Sequence, residues 1–251
     1  MNKSWNAQEY QNQCMFVPSY GKGLLPLMGD VRGKTVLDIG CGSGVLTEEI
    51  HKMGAVVHGI DASVSMIALA KSQFPDLDLS VADALSLPFQ DAFDVVFSNA
   101  VFHWVEGGKQ QTLLSGVRKA LHLGGTLVCE MGGKGCGESV HHALSEGFAR
   151  RGFHYVHPFY FPSIGQYAPI LEACHLQPVL MQWFPRPTKM NGRDGLKNWI
   201  SMFVTAPFAG MEEEMRQTII QEAEDRLRNQ LFDGTDWIID YTRLRVVATA
   251  V

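Results

Sequence analysis

Residues 35–45 read TVLDIGCGSGV: a short apolar run of Val36, Leu37 and Ile39 leads into three glycines at alternate positions. This order is typical of a buried strand, then a turn too tight to admit side chains, then a helix that begins at Val45. In such a turn, free backbone N–H groups at the start of the helix face a flat or anionic ligand. The stretch therefore predicts a ligand site at the end of the first strand.

Two classes of ligand use a turn of this kind, dinucleotides and S-adenosylmethionine (SAM). The dinucleotide fingerprint G-x-G-x-x-G, started at Gly40, requires a glycine at position 45, where this chain has Val45. The third glycine, Gly44, comes one residue early. A glycine triplet alone is a weak signal, because an ordinary strand-to-helix turn also produces it. The choice between the two ligands therefore depends on residues further along the chain.

The composition is that of an ordinary globular protein. The chain has 251 residues, of which 46% are hydrophobic and 19% charged, and this suits one large domain or one domain with an insertion. A net charge of −5 gives no electrostatic reason to expect a nucleic-acid partner. No apolar run reaches the ~18 residues that span a bilayer, so no membrane partner is expected. Five cysteines without a C-x-x-C pair, and an N-terminus without a signal-peptide core, favour reduced thiols and a cytoplasmic location.

Strands that alternate with helices along the chain predict a doubly wound α/β fold with a parallel sheet. After the first strand, strands are predicted over 55–60, 77–82, 93–98, 126–131, 178–184 and 238–250. Ser63 is the predicted N-cap of the helix after the second strand. Helices are also predicted over 113–121, 139–150, 166–174, 195–203 and 211–232, the last with Glu224 among the charges of a solvated face.

Two acids distinguish the two ligands. Asp61 and Asp83 stand at the ends of the second and third predicted strands, and ligands of such sheets bind outside the carboxyl ends of the strands. There Asp61 can accept hydrogen bonds from both hydroxyls of a ribose, and Asp83 or its neighbouring backbone can meet an adenine amino group. Each acid alone could be a surface aspartate. Together with the glycine turn they predict an adenosine cofactor.

Several stretches together resemble the motifs of class I SAM-dependent methyltransferases: VLDIGCGSG, HGIDAS, VADALSLPF, FDVVFSNAVFHWV and LGGTLVCEMGG. The SNAVFHW stretch resembles the trans-aconitate-methyltransferase-like bacterial subgroup, which has a methyltransferase type 11 domain. Later stretches, such as FPRPTKMNGRDGLKNWISMF, are similar to the same subgroup, although Gly135-Cys136 stands where that subgroup has Gly-Asn. The resemblance implies a Rossmann-like seven-stranded, mostly parallel sheet with an antiparallel last strand. A helical cap is expected between strands six and seven.

The predicted organisation has four parts: an N-terminal helical lid, 1–32; the SAM-binding α/β core, 33–185; the helical cap, 186–236; and the last core strand, 237–251. In the lid, Tyr10 and Tyr20 are candidates to contact a ligand, and packing on the sheet edge is the alternative. The resemblance, carried over residue by residue, implies a contact to the cofactor from the following: Gly40, Cys41 and Gly42 at the methionine part, Asp61 at the ribose, Ala62 and Met66 beside the adenosine, Asp83 and Ala84 at the adenine edge, and Asn99 and Ala100 beside the sulfonium and amino-acid portion.

Methyl transfer is an in-line displacement, so the enzyme mainly aligns the acceptor with the methyl group and excludes water. A carboxylate acceptor needs no base, whereas a hydroxyl, amine or carbon acceptor can need one. His103 is the candidate catalytic residue, and the alternative is a histidine that packs between Phe102 and Trp104 to hold its loop. Adjacent histidines such as His141-His142 point to different faces of a helix and predict no metal site. Candidate acceptor contacts in the cap, for which packing is the alternative, are His154, Tyr155, His157, Tyr160, Arg186, Arg193 and Trp199.

The sequence thus predicts a SAM-dependent methyltransferase that acts on a small molecule, with a carboxylate as one acceptor class and S-adenosylhomocysteine (SAH) as product. An N- or C-methyltransferase of the same fold is the alternative among enzymes. A SAM-binding protein without methylation activity is the alternative from another class, and Val45 disfavours a nicotinamide dehydrogenase. We expect a monomer or homodimer. The two-proline signature of adenine-N6 DNA methyltransferases is absent after Asn99, which also argues against nucleic acid.

Overall fold

The computed structural model describes residues 20–251, which divide into two compact units. Within that range the first unit comprises 20–131, Pro162–Gln182 and Leu244–Val251, and the second comprises Gly132–Phe161 and Trp183–Arg243. The second unit thus holds the segment 186–236, predicted as the cap, together with 132–161. Most of the predicted lid lies outside the described residues; its described end includes a 3₁₀ helix, Lys22–Met28, that buries Leu24, Leu25 and Met28.

A seven-stranded sheet organises the first unit. The strands of the described chain are β1 (Thr35–Ile39), β2 (Val56–Asp61), β3 (Asp78–Val81), β4 (Phe93–Asn99), β5 (Leu121–Gly132), β6 (Leu176–Pro185), β7 (Thr188–Met190), β8 (Trp237–Ile239) and β9 (Thr242–Ala250). The large sheet has the order β3-β2-β1-β4-β5-β9-β6. β1 pairs in parallel with β2 and β4, β2 with β3, and β4 with β5. The sheet is mostly parallel with an antiparallel strand, which confirms the predicted fold class.

Helices cover both faces of this sheet. The α-helices of the described residues are α1 (Val45–Lys52), α2 (Val64–Gln73), α3 (Gln110–Ala120), α4 (Glu138–Ala149), α5 (Ile164–Ala173), α6 (Gly195–Phe203) and α7 (Glu213–Leu231). The Ser63 hydroxyl accepts a hydrogen bond from the Met66 N–H, which confirms Ser63 as the N-cap of α2. A capping box between Ser163 and Gln166 begins α5. Local capping chemistry therefore sets where these helices start.

The central strands are buried on both faces, as expected for a parallel sheet covered by helices. In β1, Val36, Leu37 and Ile39 are at most 1% exposed, and Val36 and Val95 of β4 belong to one apolar cluster with Ile50 of α1. Parallel strands of this kind contain near-continuous apolar runs. The one acid within β1, Asp38, is therefore an exception, because it places a carboxyl among buried apolar side chains.

The second unit contains α4, α6, α7 and a small antiparallel sheet of β7 and β8, in which Thr188 pairs with Ile239 and Met190 with Trp237. The prediction of a single strand over 238–250 is therefore wrong, because this segment forms two strands that belong to two sheets. The interruption lies at Asp240 and Tyr241, whose backbone carbonyls accept hydrogen bonds from the N–H groups of Gly137 and Arg186. These bonds occupy backbone groups that a continuous strand would have used for its neighbours.

The helix α7 buries the stripe that its sequence predicted, including Ile219, Ala223, Leu227 and Leu231. Glu224, however, is only 5% exposed, so the prediction of a solvated position for it is wrong. Burial raises the pKa of its carboxyl above the usual value. Along residues 20–251, no helix is both long enough and apolar enough to cross a membrane.

Candidate functional site

The glycine turn after β1 has the backbone that its sequence predicted. Gly40, Gly42 and Gly44 have φ angles of 75°, 55° and 80°, in the left-handed region where a Cβ is strained. At Gly40 there is also no room for a side chain, because a Cβ would lie 2.2 Å from Cγ2 of Val101. The N–H of Glu48 donates to the Gly44 carbonyl, so α1 begins directly at the end of the turn.

This turn is hydrogen-bonded to the end of β2. The N–H groups of Gly40 and Cys41 both donate to the Ile60 carbonyl, at 2.7 and 2.9 Å. The Gly42 N–H donates to the Asp61 carboxylate at 3.1 Å, and the Ser63 N–H donates to its other oxygen at 2.8 Å. Burial raises the pKa of Asp61, while these two hydrogen bonds oppose the shift. Asp61 is thus held in one orientation, and its oxygens retain lone pairs for further donors.

The end of β3 adjoins that of β2, and the Ala82 N–H donates to the Asp61 carbonyl at 3.0 Å. Asp83 is exposed and accepts a hydrogen bond from the Leu85 N–H at 2.9 Å, which holds the pKa of its carboxyl below the usual value. Ala62 and Ala84 are partly exposed. Met66 is buried, and its Cε lies 3.5 Å from where a Cβ of Gly42 would stand, so it forms part of the wall beside the turn.

The end of β4 completes the group. Asn99 is 8% exposed, and Ala100 has a φ of 61°, which is uncommon for a residue with a side chain. The Ala100 N–H donates to the Glu130 carbonyl of β5 at 2.7 Å, and the Ser98 hydroxyl donates to the Ile39 carbonyl of β1 at 2.9 Å. These bonds hold the chain in the strained turn. The structure therefore brings the glycine turn, Asp61, Asp83 and Asn99 to the carboxyl ends of adjacent strands.

His103 lies in a 3₁₀ turn, Phe102–Trp104, that follows β4, and it is 8% exposed. Its ring contacts the ring of Trp104, with centroids 5.5 Å apart. The turn is held by a residue that sequence reasoning missed: the side-chain amide of Gln110 donates to the carbonyls of Phe102 and Val105 at 2.9 and 2.8 Å. The Tyr167 hydroxyl in turn donates to Gln110 at 3.3 Å. This buried network fixes the segment that carries His103.

Asp38 is a second residue that sequence reasoning missed. It is 2% exposed, and one of its oxygens accepts a hydrogen bond from the Thr47 hydroxyl at 2.6 Å. Burial raises the pKa of this carboxyl to about 7, and the nearby charge of Asp61 adds to the shift. The signal was present, because an acid inside an apolar strand directly before a glycine turn is unusual. Asp38 thus adds a second carboxyl near the turn.

The predicted acceptor contacts of the second unit have different surroundings. His154 and Arg193 are exposed, and Tyr160 is partly buried. The guanidinium of Arg186 lies over the Phe184 ring at 5.0 Å. Tyr155, His157 and Trp199 instead lie around the buried ring of His141, a residue that sequence reasoning considered only in excluding a metal.

Of the predicted cofactor contacts, Tyr10 lies outside the described residues. Within residues 20–251, no group of three His, Cys, Asp or Glu side chains is arranged to hold a metal ion.

Comparison with known proteins shows a methyltransferase domain within the chain. Residues 37–129 match a family model described as a methyltransferase domain. An uncharacterized methyltransferase of Schizosaccharomyces pombe is 29% identical over 97% of this chain and 97% of its own length. A trans-aconitate 2-methyltransferase of Delftia acidovorans is 34% identical, over 40% of this chain and 38% of its own length. The latter match thus spans well under half of either protein.

A solved structure shows the same fold. The geranyl diphosphate C-methyltransferase of Streptomyces coelicolor, in complex with Mg²⁺, geranyl diphosphate and SAH, superposes with a TM-score of 0.56 at 16% identity. The match covers 93% of this chain and 80% of that one. Together with the sheet order and the glycine turn, these findings support a SAM-dependent methyltransferase. SAH, the product form of SAM, is bound in that S. coelicolor structure.

The close approach of Val101 to Gly40 leads to a prediction about stability. Gly40→Ala should destabilise the protein by about 2 kcal/mol or more, because it adds an overpacked contact to the strain of a left-handed alanine. Gly33→Ala is the matched control, since Gly33 has a similar φ of 71° but nothing within 4 Å of the added Cβ. The urea concentration at the unfolding midpoint of each variant, compared with that of the wild-type protein, measures the loss of stability. Equal midpoints for the two variants would contradict the prediction.

Proposed function

We propose that this methyltransferase transfers the methyl group of SAM to a small organic molecule by in-line displacement. The observation that carries the proposal is the convergence of the glycine turn, Asp61, Asp83 and Asn99 at the ends of four adjacent strands. SAM, when bound, supplies a methyl carbon attached to a sulfonium, which leaves as the neutral thioether of SAH. The protein therefore has to bind, align and desolvate the reactants.

The residues around the turn fit SAM. Asp61 is the proposed ribose ligand, because its carboxylate is already fixed by the N–H groups of Gly42 and Ser63 at the end of β2. Gly40 and Gly42 leave the backbone bare, so a ligand can approach it closely. Met66 supports the use of that wall for the adenosine, since its thioether lies beside Gly42. The remaining proposed cofactor contacts are Cys41, Ala62, Asp83, Ala84, Asn99 and Ala100.

The ribose role of Asp61 leads to a second prediction. Asp61→Asn should weaken SAH binding at least about tenfold, because an amide removes the charge that strengthens hydrogen bonds from two hydroxyls. Isothermal titration with SAH measures the affinity. Asp76→Asn is the matched control, since Asp76 is exposed and its substitution removes the same charge. An unchanged affinity in Asp61→Asn would reject the ribose role.

The acceptor requires a direct screen. Incubation with SAM and panels of carboxylates, amines, phenols and carbon acids, followed by mass spectrometry, should detect the gain of one methyl group by one class. Carboxylates form the first panel, because a relative is named for trans-aconitate. A carboxylate product supports O-methylation without a base, and an amine or carbon product supports the alternative N- or C-methyltransferase. If the protein binds SAH but methylates no member of any panel, the small-molecule proposal is wrong.

His103 is proposed to bind the acceptor or to take its proton. Its place directly after β4, in a turn fixed by Gln110, supports this role because a catalytic group has to be held still. For an acceptor with a proton to lose, His103→Gln should lower kcat about a hundredfold or more and leave SAH affinity unchanged. His51→Gln, on the exposed end of α1, is the control. Full turnover by His103→Gln would reduce the residue to a packing role.

A further inference from the structure

His141 lies in the first part of α4, in the second unit, and is 5% exposed. Its ring centroid is 4.1 Å from that of His157 and 6.0 Å from that of Trp199. Further rings complete the surroundings, and we call the group the His141 cluster: His141, Tyr155, His157, Phe159, Phe161 and Trp199. A buried imidazole is thus enclosed mainly by aromatic side chains.

One nitrogen of this imidazole has no hydrogen-bond partner within residues 20–251. Nδ1 of His141 lies 2.6 Å from the Tyr155 hydroxyl. Nε2 is buried, and among the described residues nothing pairs with it. An unsatisfied buried polar atom costs free energy and is uncommon in folded proteins. Gly137 has no side chain, and a Cβ at that residue would lie 3.8 Å from Nε2. This atom is therefore available to a ligand.

The protonation state of the ring follows from its surroundings. Burial, with a contribution from His157, lowers the pKa of His141 to about 3, so the ring is neutral at physiological pH. A neutral imidazole has one donor and one acceptor nitrogen. If Tyr155 donates to Nδ1, the phenolic proton is satisfied and only the Nε2–H is left over. The opposite arrangement leaves both the Tyr155 proton and the Nε2 lone pair without a partner among the residues that the structure describes, which favours Nε2 as the donor.

Part of the enclosure is fixed and part is open to solvent. A Cβ at Gly132 would lie 2.2 Å from the Phe161 ring, so that ring packs directly on the backbone. The Trp199 indole N–H donates to the Tyr241 hydroxyl at 2.5 Å. His157, in contrast, is exposed on its outer side and belongs to a segment without regular secondary structure. Its Nδ1 lies 2.9 Å from the carbonyl oxygen and 3.2 Å from the N–H nitrogen of Phe159, in the same segment. The ring that covers His141 most closely thus has hydrogen-bond contacts within that segment.

The surroundings of the cluster disfavour charged ligands. An ion that entered it would lose its hydration among aromatic rings that offer few polar partners. A ligand cation would also be disfavoured by the donor at Nε2.

From this geometry we propose that the His141 cluster is a binding site for a small molecule with a flat, uncharged group, whose hydrogen-bond-accepting atom receives the Nε2–H of His141. The exposed His157 ring gives up its hydrogen bond to Phe159 and turns aside to admit that group, which stacks among Phe159, Phe161 and Trp199. The inference does not depend on the proposed function, because every residue of the cluster lies in the second unit.

Four one-ring probes of similar shape test this proposal: acetophenone, ethylbenzene, benzoate and benzylammonium. Acetophenone has the accepting oxygen, and ethylbenzene replaces that oxygen by hydrogens. Ligand-detected NMR on the SAH-loaded protein should show acetophenone binding about fivefold more tightly than ethylbenzene, and more tightly than either ion. In ¹⁵N-histidine spectra, His141 should be protonated at Nε2, and its Nε2 signal should shift on addition of acetophenone.

The variants connect this preference to His141. His141→Phe should bind acetophenone and ethylbenzene equally, and Tyr155→Phe should reduce the preference because it frees Nδ1. His154→Phe, an exposed position of the same segment, should retain the preference. An Nδ1-protonated ring in the wild-type protein, tighter binding of an ion, a preference that survives His141→Phe, or no binding of acetophenone would each overturn the proposal.

The two proposals fail separately in these experiments. SAH titration of the same proteins reports on the cofactor residues of the first unit alone. If SAH does not bind, the proposed function fails whatever the probes do. If SAH binds normally but the His141 cluster shows none of the expected preferences, the further inference fails and the proposed function stands.

Discussion

The site depends on the hydrogen bonds between the glycine turn and the end of β2. Ile60 accepts from the N–H groups of Gly40 and Cys41, and Asp61 accepts from Gly42. The same contacts shape the turn and orient the carboxylate, because the register of the two parallel strands pairs Ile39 with Ile60. A shift of one residue between β1 and β2 would turn alternate side chains to the other face and separate these groups. The buried packing of β1 therefore serves the site as well as the core.

Much of the first unit could be predicted because its signals are local. Strand ends agree to within a few residues in most cases: β2 was predicted over 55–60 and is Val56–Asp61, and β4 was predicted over 93–98 and is Phe93–Asn99. Gly44 ends the turn where a glycine is required, and Ser63 caps α2 by its own side chain. Apolar runs of parallel strands and the residues of tight turns are properties of short segments, so a sequence displays them directly.

The second unit was less predictable because its contacts join distant parts of the chain. His141 meets Tyr155 and Trp199, which belong to separate segments, and no spacing rule connects them. The segment 238–250 alternates as one strand would, yet hydrogen bonds to Asp240 and Tyr241 divide it between two sheets. Glu224 has the composition of a surface residue and is buried by tertiary packing. Such positions need the structure, since local pattern does not encode their partners.

Asp38 lowers the stability of the fold above about pH 4, where an apolar residue at the same place would not. Its carboxyl has a pKa of about 7 in the folded protein, against an ordinary value of 3.8. Between these values the folded state holds a proton that the unfolded state has released, so the free energy of unfolding falls as the pH rises from about 4 to about 7. Above that range the buried acid destabilises the fold, and Asp61, also raised in pKa, adds to the effect. A ligand that brings positive charge offsets both terms. In the proposed function, the sulfonium and ammonium groups of SAM would supply that charge, which would explain an acid within β1 where an apolar residue would pack better.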